Sequence, residues 1–388
     1  MFLPFLICSV FVFAKSDKSL TYDFEYTMGL PSANLYFPTE NLFINGQLVT
    51  NMTFSLFDSK RDFIQTVPTN VLNERNITLS RKREAYVYKT DIEIFKKYLS
   101  NYKFLISKED LFFEDEGIAL GYKFEDDSYS IVHQLFNNKV IDHKNFAFQV
   151  NGRKEHGKLH LGGIANNTHL TFPYKGYCNV DDKHSSWGCT LTSITYNHTK
   201  YPIHSYAIFH SGYNSFIASN YLFQFMLDVM FKDAISKGIC EEKLSVIFGK
   251  WVKCNDRFDI NRYHTIDFLF GDMIVQFDIR ELFVKDLSNN WYSSIVSNKN
   301  ENSDDIILGF NFIKYFNYSL FDYDNKKVYL YSDNSRVDML TGGRNIKIGL
   351  VKDIILVSVS ICLVNILIIS FHKYNKPNVK VLDCLNDI

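Results

Sequence analysis

The sequence predicts an all-β body of two lobes, followed by a C-terminal transmembrane helix. Three observations predict it. First, short runs rich in Phe, Tyr, Val, Ile and Thr recur along the chain and are broken by Asn, Asp, Gly and Lys, which is strand-and-turn punctuation. Second, about 330 residues lie between the two terminal apolar segments, enough to bury two cores. Third, Ile354–Phe371 is apolar apart from Ser358, Ser360, Asn365 and Ser370. Eighteen residues of helix span about 27 Å, roughly one hydrocarbon core.

The elements follow in order. Met1–Ala14 is a run of Phe, Leu, Ile, Val and Cys ending Val12-Phe13-Ala14, which suits a cleaved signal peptide. Expected strands are Asn41–Ile44, Met52–Phe57, Phe146–Val150, Leu159–Leu161, Leu191–Tyr196, Tyr206–Phe209, Ile266–Phe270 and Val328–Tyr331. Two segments read as helices: Asp91–Asn101, and Asn220–Lys237 with Leu222, Phe225, Met226, Val229 and Met230 at amphipathic spacing. The expected division is a signal peptide at 1–14, an N-terminal lobe at 15–150 and a C-terminal lobe at 151–340. A juxtamembrane stem follows at 341–353, then a span at 354–371 and a cytosolic tail at 372–388. His372, Lys373, Lys376 and Lys380 follow the span, so the tail faces the cytosol. Signal plus span describes a type I single-pass protein of the secretory pathway or plasma membrane, its ectodomain lumenal or extracellular.

Net charge is −1, so neither nucleic acid nor another polyelectrolyte is implied as a partner. The eleven His are scattered. No zinc-like Cys/His spacing, metal site, phosphate loop or cofactor motif stands out. Of seven Cys, Cys8 leaves with the signal, Cys362 lies in the span and Cys384 in the tail. Cys178, Cys189, Cys240 and Cys254 remain in an oxidising compartment, an even number that suggests two disulfides. Three pairings exist; Cys178–Cys189 and Cys240–Cys254 are favoured because each closes a short hairpin-like segment. Glycosylation sequons start at Asn51, Asn76, Asn166, Asn197 and Asn317.

The motif richest in chemistry is Phe209-His210-Ser211-Gly212, at the end of an apolar run and followed by Tyr213-Asn214-Ser215-Phe216-Ile217. Downstream come Ile306-Ile307-Leu308-Gly309 and Phe321-Asp322. Gly157-Lys-Leu-His-Leu-Gly-Gly163, Trp187-Gly-Cys-Thr-Leu-Thr-Ser-Ile194 and Trp251-Val-Lys-Cys-Asn255 complete an ordered set. In that order these segments resemble the pepsin-like aspartic proteases, best between Phe146 and Tyr331. The resemblance implies a bilobal β fold with a cleft between the lobes. In each lobe an Asp-Thr/Ser-Gly loop is threaded beside an apolar-apolar-Gly turn.

The resemblance places His210 where the second catalytic Asp belongs, with Ser211 and Gly212 supporting its loop. The N-terminal counterpart is Asp58 with Ser59, and Ile118-Ala119-Leu120-Gly121 is the turn beside it. Lys60 stands in place of the loop glycine. No glycine occurs between Gly46 and Gly117, where the family has its flap; Tyr86 and Tyr88 are the nearby tyrosines. No pro-segment is recognisable before Asn34.

Aspartic proteolysis needs two carboxylates that share one proton and split their pKa values. A neutral imidazole offers one acceptor nitrogen where a carboxylate offers two oxygens. The expectation is therefore a membrane-anchored, catalytically impaired or inactive homologue whose cleft binds a peptide or protein. The alternative is an acid endopeptidase in which Asp58 acts as base and His210⁺ stabilises the oxyanion.

Overall fold

The computed structural model describes residues 18–28, 33–36, 42–44, 47–50, 55–57, 75–80, 83–94, 96–107, 117–122, 130–150, 156–163, 172–184, 186–245, 249–298 and 304–340. The chain divides into two compact units, Met1–Met339 and Leu340–Ile388. The expected signal segment 1–14 and the apolar run 354–371 lie outside the described residues. Among the described residues no helix is long and apolar enough to cross a membrane.

The first unit is mostly β. A nine-stranded sheet draws on distant parts of the chain: Tyr174–Asn179, Lys327–Ser332, Tyr318–Asp322, Asn145–Val150, His156–Leu161, Leu20–Met28, Ala33–Tyr36, Ser55–Phe57 and Gly117–Ala119, in that spatial order. Strand alternation separates its faces. Along Leu20–Met28, Phe24 and Tyr26 are buried while Asp23 and Glu25 are exposed. Phe24 meets Phe148 edge-on at 6.0 Å, and Phe146 stacks on Phe321 at 4.8 Å. On the other face Ala147, Tyr318, Leu320 and Tyr331 form a second apolar cluster, with Phe172 and Tyr329 against it.

Eleven strands form the sheet of the C-terminal half, from Cys240–Ser245 at one edge to Val337–Met339 at the other. A five-stranded sheet in the N-terminal half contains the hairpin Arg83–Ile94 with Lys97–Ser107. That hairpin corrects the helix expected over Asp91–Asn101. Ile92 and Ile94 are buried and Glu93 is exposed, a period of two that a β-branched sequence satisfies better as strand. Lys96, with φ 55°, makes the turn. The Asp91 carboxylate then fastens it, accepting from the Tyr98 hydroxyl at 2.5 Å and the Asn101 N–H at 2.9 Å.

All eight expected strands overlap observed ones. The amphipathic stretch from Asn220 is helical through Asn220–Met226, Leu227–Phe231 and Lys232–Ser236, the middle piece in π geometry. Ser219 caps it, its hydroxyl accepting from the Leu222 N–H at 3.3 Å. Ile131–Asn137 is a helix that the sequence did not announce. The disulfides form as expected, Cys178–Cys189 and Cys240–Cys254. The second joins directly opposed residues of a hairpin.

Candidate active site

The strand Thr199–Phe209 carries the chain to His210. One side of it pairs antiparallel with Gly188–Tyr196; its other side pairs parallel with Ile306–Leu308. Beyond His210 the chain turns through Ser211–Ser215 and returns as Phe216–Ala218, which lies on the far side of Ile306–Leu308. The apolar strand is therefore threaded between the two arms of the loop. The His210 N–H donates to the Leu308 carbonyl at 2.9 Å, and the Phe310 N–H to the Tyr213 carbonyl at 2.5 Å. A β-carbon on Gly309 would lie 2.5 Å from the Ser215 carbonyl oxygen and 2.6 Å from that of Tyr213. Only glycine allows so close a backbone approach.

His210 is half-buried above Phe209, which packs on Phe270, Phe312 and Phe321. Its Nδ1 accepts from the Gly212 N–H at 3.1 Å. That bond requires an unprotonated Nδ1, so the neutral ring carries its hydrogen on Nε2. The Tyr213 ring meets the imidazole edge-on at 4.6 Å. Crowding by these neighbours strips water from the ring and lowers its pKa to about 4. Ser211 is buried in the same loop.

In the N-terminal half, Ser55–Phe57 pairs parallel with Gly117–Ala119, which is the same local arrangement. Asp58, Ser59 and Lys60 lie outside the described residues. The register differs from the expected alignment by one. Phe209 faces Leu308, just before Gly309, whereas Phe57 faces Ala119, just before Leu120. Leu120, not Gly121, therefore occupies the place of Gly309. A buried leucine side chain thus stands where the C-terminal turn has none.

The segment after that turn is fastened to the C-terminal half. The Trp187 indole Nε1–H donates to the Leu120 carbonyl at 2.6 Å. The Tyr323 hydroxyl lies 2.9 Å from the Gly121 carbonyl oxygen and 3.2 Å from that of Leu120. The Tyr122 hydroxyl donates to Asp182 at 2.6 Å, and Lys326 holds the same carboxylate at 2.6 Å. Sequence reasoning missed this latch. In the sequence Trp187 is only the first residue of one motif segment, and nothing in the spacing of Tyr122, Asp182 and Tyr323 joins them.

The remaining expected sites are dispersed. Asn197 is exposed at a hairpin tip with φ 47°, next to His198 at φ 63°. Asn317 is half-buried, its side-chain oxygen accepting from the Asp333 N–H at 3.1 Å. Asn76 sits within the strand Arg75–Ser80, paired with Tyr86 rather than at a tip. Asn51 and Asn166 lie outside the described residues. Among the described residues no cluster of His, Cys, Asp and Glu has metal-binding geometry.

A threaded loop ending in X-Ser-Gly, buttressed by an apolar-Gly turn, is what the sequence resemblance implied. The model of the eukaryotic aspartyl protease family matches residues 99–332. This chain belongs to that family. The matched stretch contains His210 and begins beyond Asp58. Among solved structures the chain is similar to the aspartic proteinase from Irpex lacteus, with a TM-score of 0.59 and 14% identity. That likeness covers 84% of this chain and 100% of the other, and at this identity it is a likeness of fold. No curated protein matches by sequence. The matched stretch thus includes the threaded loop that presents the His210 imidazole.

Proposed function

We propose that the protein is a membrane-anchored aspartyl protease homologue with impaired or absent catalysis, whose interlobe cleft binds a peptide or protein. The observation that carries this reading is the state of His210. Above pH ~4 the ring is neutral, so it supplies no charge to split a proton with Asp58. Its Nδ1 lone pair is occupied by the Gly212 N–H, and the Nε2–H can only donate. Such a ring cannot take a proton from water without breaking its own loop. What it offers is a hydrogen-bond donor, suited to holding a peptide carbonyl.

The acid-endopeptidase reading requires His210⁺. Burial defers that state to pH values below about 4, so activity of this kind would be confined to strong acid. The anchor at 354–371, the signal at 1–14, the lobes at 15–150 and 151–340 and the type I orientation belong to the same proposal. The two disulfides support it, since such bonds persist in oxidising compartments. The glycan sites belong to it too, Asn197 first because its tip is exposed.

The test is cleavage of a peptide library by the purified full chain from acid to neutral pH, beside Asp58→Ala and His210→Asp. The proposal expects no cleavage by the native chain. Cleavage that disappears in Asp58→Ala would establish a working His–Asp peptidase instead.

A further inference from the structure

We propose that Trp187 is a positioning residue of the His210 site: it holds the His210 loop and the Leu120 turn in one fixed relation. The inference rests on reading His210 as the residue that meets the ligand. Trp187 bonds to both elements through different atoms. Its carbonyl accepts from the N–H of Phe209, the last residue before His210, at 2.8 Å. Its indole Nε1–H donates to the Leu120 carbonyl at 2.6 Å. Both bonds belong to one residue, so a displacement of either turn is felt at the other.

The backbone at His210 is clamped from two sides. Trp187 takes the Phe209 N–H on one side of the strand Thr199–Phe209, and Leu308 takes the His210 N–H on the other. Leu308 belongs to the C-terminal half alone, whereas Trp187 also reaches the N-terminal turn. Gly188 lets Trp187 come this close. A β-carbon there would lie 2.6 Å from the Ala207 carbonyl oxygen and 2.7 Å from the Tyr206 ring.

The indole has little room to yield. Trp187 is fully buried. Tyr122 and Tyr323 meet its ring at 4.8 and 4.7 Å. Leu120, Phe209 and Ser211 share with it the wall of one void, no larger than a single water. A close-packed interior passes a displacement on rather than absorbing it. A site residue keeps its geometry only when the residues around it are themselves locked. The Gly212 N–H holds the His210 ring within its own loop, and Trp187 adds the link to the other half.

The experiment is NMR of the full chain in detergent, reading the backbone amides of Phe209, His210 and Gly212 and the ring nitrogens of His210. The native chain is compared with Trp187→Phe and with the double variant Cys240→Ser, Cys254→Ser. The double variant loses a disulfide at the edge of the eleven-stranded sheet, so it reports what destabilisation alone does to the folded state. In Trp187→Phe the Phe209 and Gly212 amides should move upfield, as weakened hydrogen bonds do, and the His210 ring nitrogens should shift with them. The double variant should leave all of these in place. Signals unmoved in Trp187→Phe, or moved equally in both variants, would overturn the proposal and leave Trp187 as packing. Should Trp187→Phe not fold, the same link is read in reverse in His210→Asp. There the Trp187 indole N–H should shift while those of Trp251 and Trp291 stay, and three unmoved indoles would overturn the proposal. A native ring already charged near neutrality would instead sink the reading of His210 as a neutral donor, and the Phe209 and His210 amides would still decide the role of Trp187.

Discussion

The two halves of the molecule build the same local motif with different success. In the C-terminal half, Ile306–Leu308 runs between both arms of the His210 loop, and Gly309 lets the loop backbone close to within contact distance. In the N-terminal half the parallel pair Ser55–Phe57 and Gly117–Ala119 persists, but the turn that follows carries Leu120. That turn is held in place by Trp187 and Tyr323 from the other half. The comparison teaches that the two halves differ in kind. The C-terminal loop closes tightly around Gly309 and presents an imidazole. The N-terminal turn carries a side chain in that place and takes support from the other half.

The largest effect that would break this comparison is at Gly309. A side chain there meets two carbonyl oxygens, so Gly309→Val should cost on the order of 3 kcal/mol or more by urea denaturation. Tolerance of Val would mean that close approach does not define the C-terminal loop. Leu120→Ala should cost about 2–4 kcal/mol through lost burial. Gain of stability there would mean that the leucine strains its turn rather than filling it.

A second effect concerns acid. His160 is buried on the central sheet, its Nε2–H donating to Gln149 at 2.9 Å and its Nδ1 accepting from the Thr21 hydroxyl at 3.0 Å. Desolvation, then the Lys158 charge, lowers its pKa to about 4, while Asp23 opposes them weakly. A histidine depressed in the folded state is protonated first in the unfolded chain. Its stabilising contribution is therefore complete above about pH 6.5 and is lost as pH falls toward 4. The loss should reach roughly 3 kcal/mol. Chemical denaturation at stepped pH should show this slope, and His160→Gln should flatten it. An unchanged slope in the variant would remove His160 from the account.

The disulfides sharpen the same contrast, since both lie in the better-built half. Replacing Cys240 and Cys254 by Ser should cost about 3 kcal/mol for a loop of this length. The smallest expected effect is at the latch. Trp187→Phe keeps the ring but removes the donor to Leu120, and should cost about 1–3 kcal/mol. Additive losses with Tyr323→Phe would show that the two donors serve Leu120 and Gly121 independently; coupling would show one shared brace.

Much of the fold was legible because strands of this chain alternate cleanly or end in recognisable turns. Phe209-His210-Ser211-Gly212 and Ile306–Gly309 were readable as partners through the resemblance to the family, and the structure pairs them. Asp91–Asn101 misled because Ile92, Phe95, Tyr98 and Leu99 also fit a helical period; the Lys96 turn decided otherwise. The one-residue register difference at Leu120 was illegible, because sequence order does not say which residue faces Phe57. The Tyr122–Asp182–Lys326 latch was equally hidden, being assembled from positions about 60 and 144 residues apart.

The measurement that tests the central claim most directly is an NMR titration of the His210 imidazole in the intact chain. The account predicts a neutral ring with its hydrogen on Nε2, persisting down to about pH 4. A ring that titrates above its ordinary value, with both nitrogens protonated near neutrality, would reveal a carboxylate partner and a working His–Asp pair, contradicting the account.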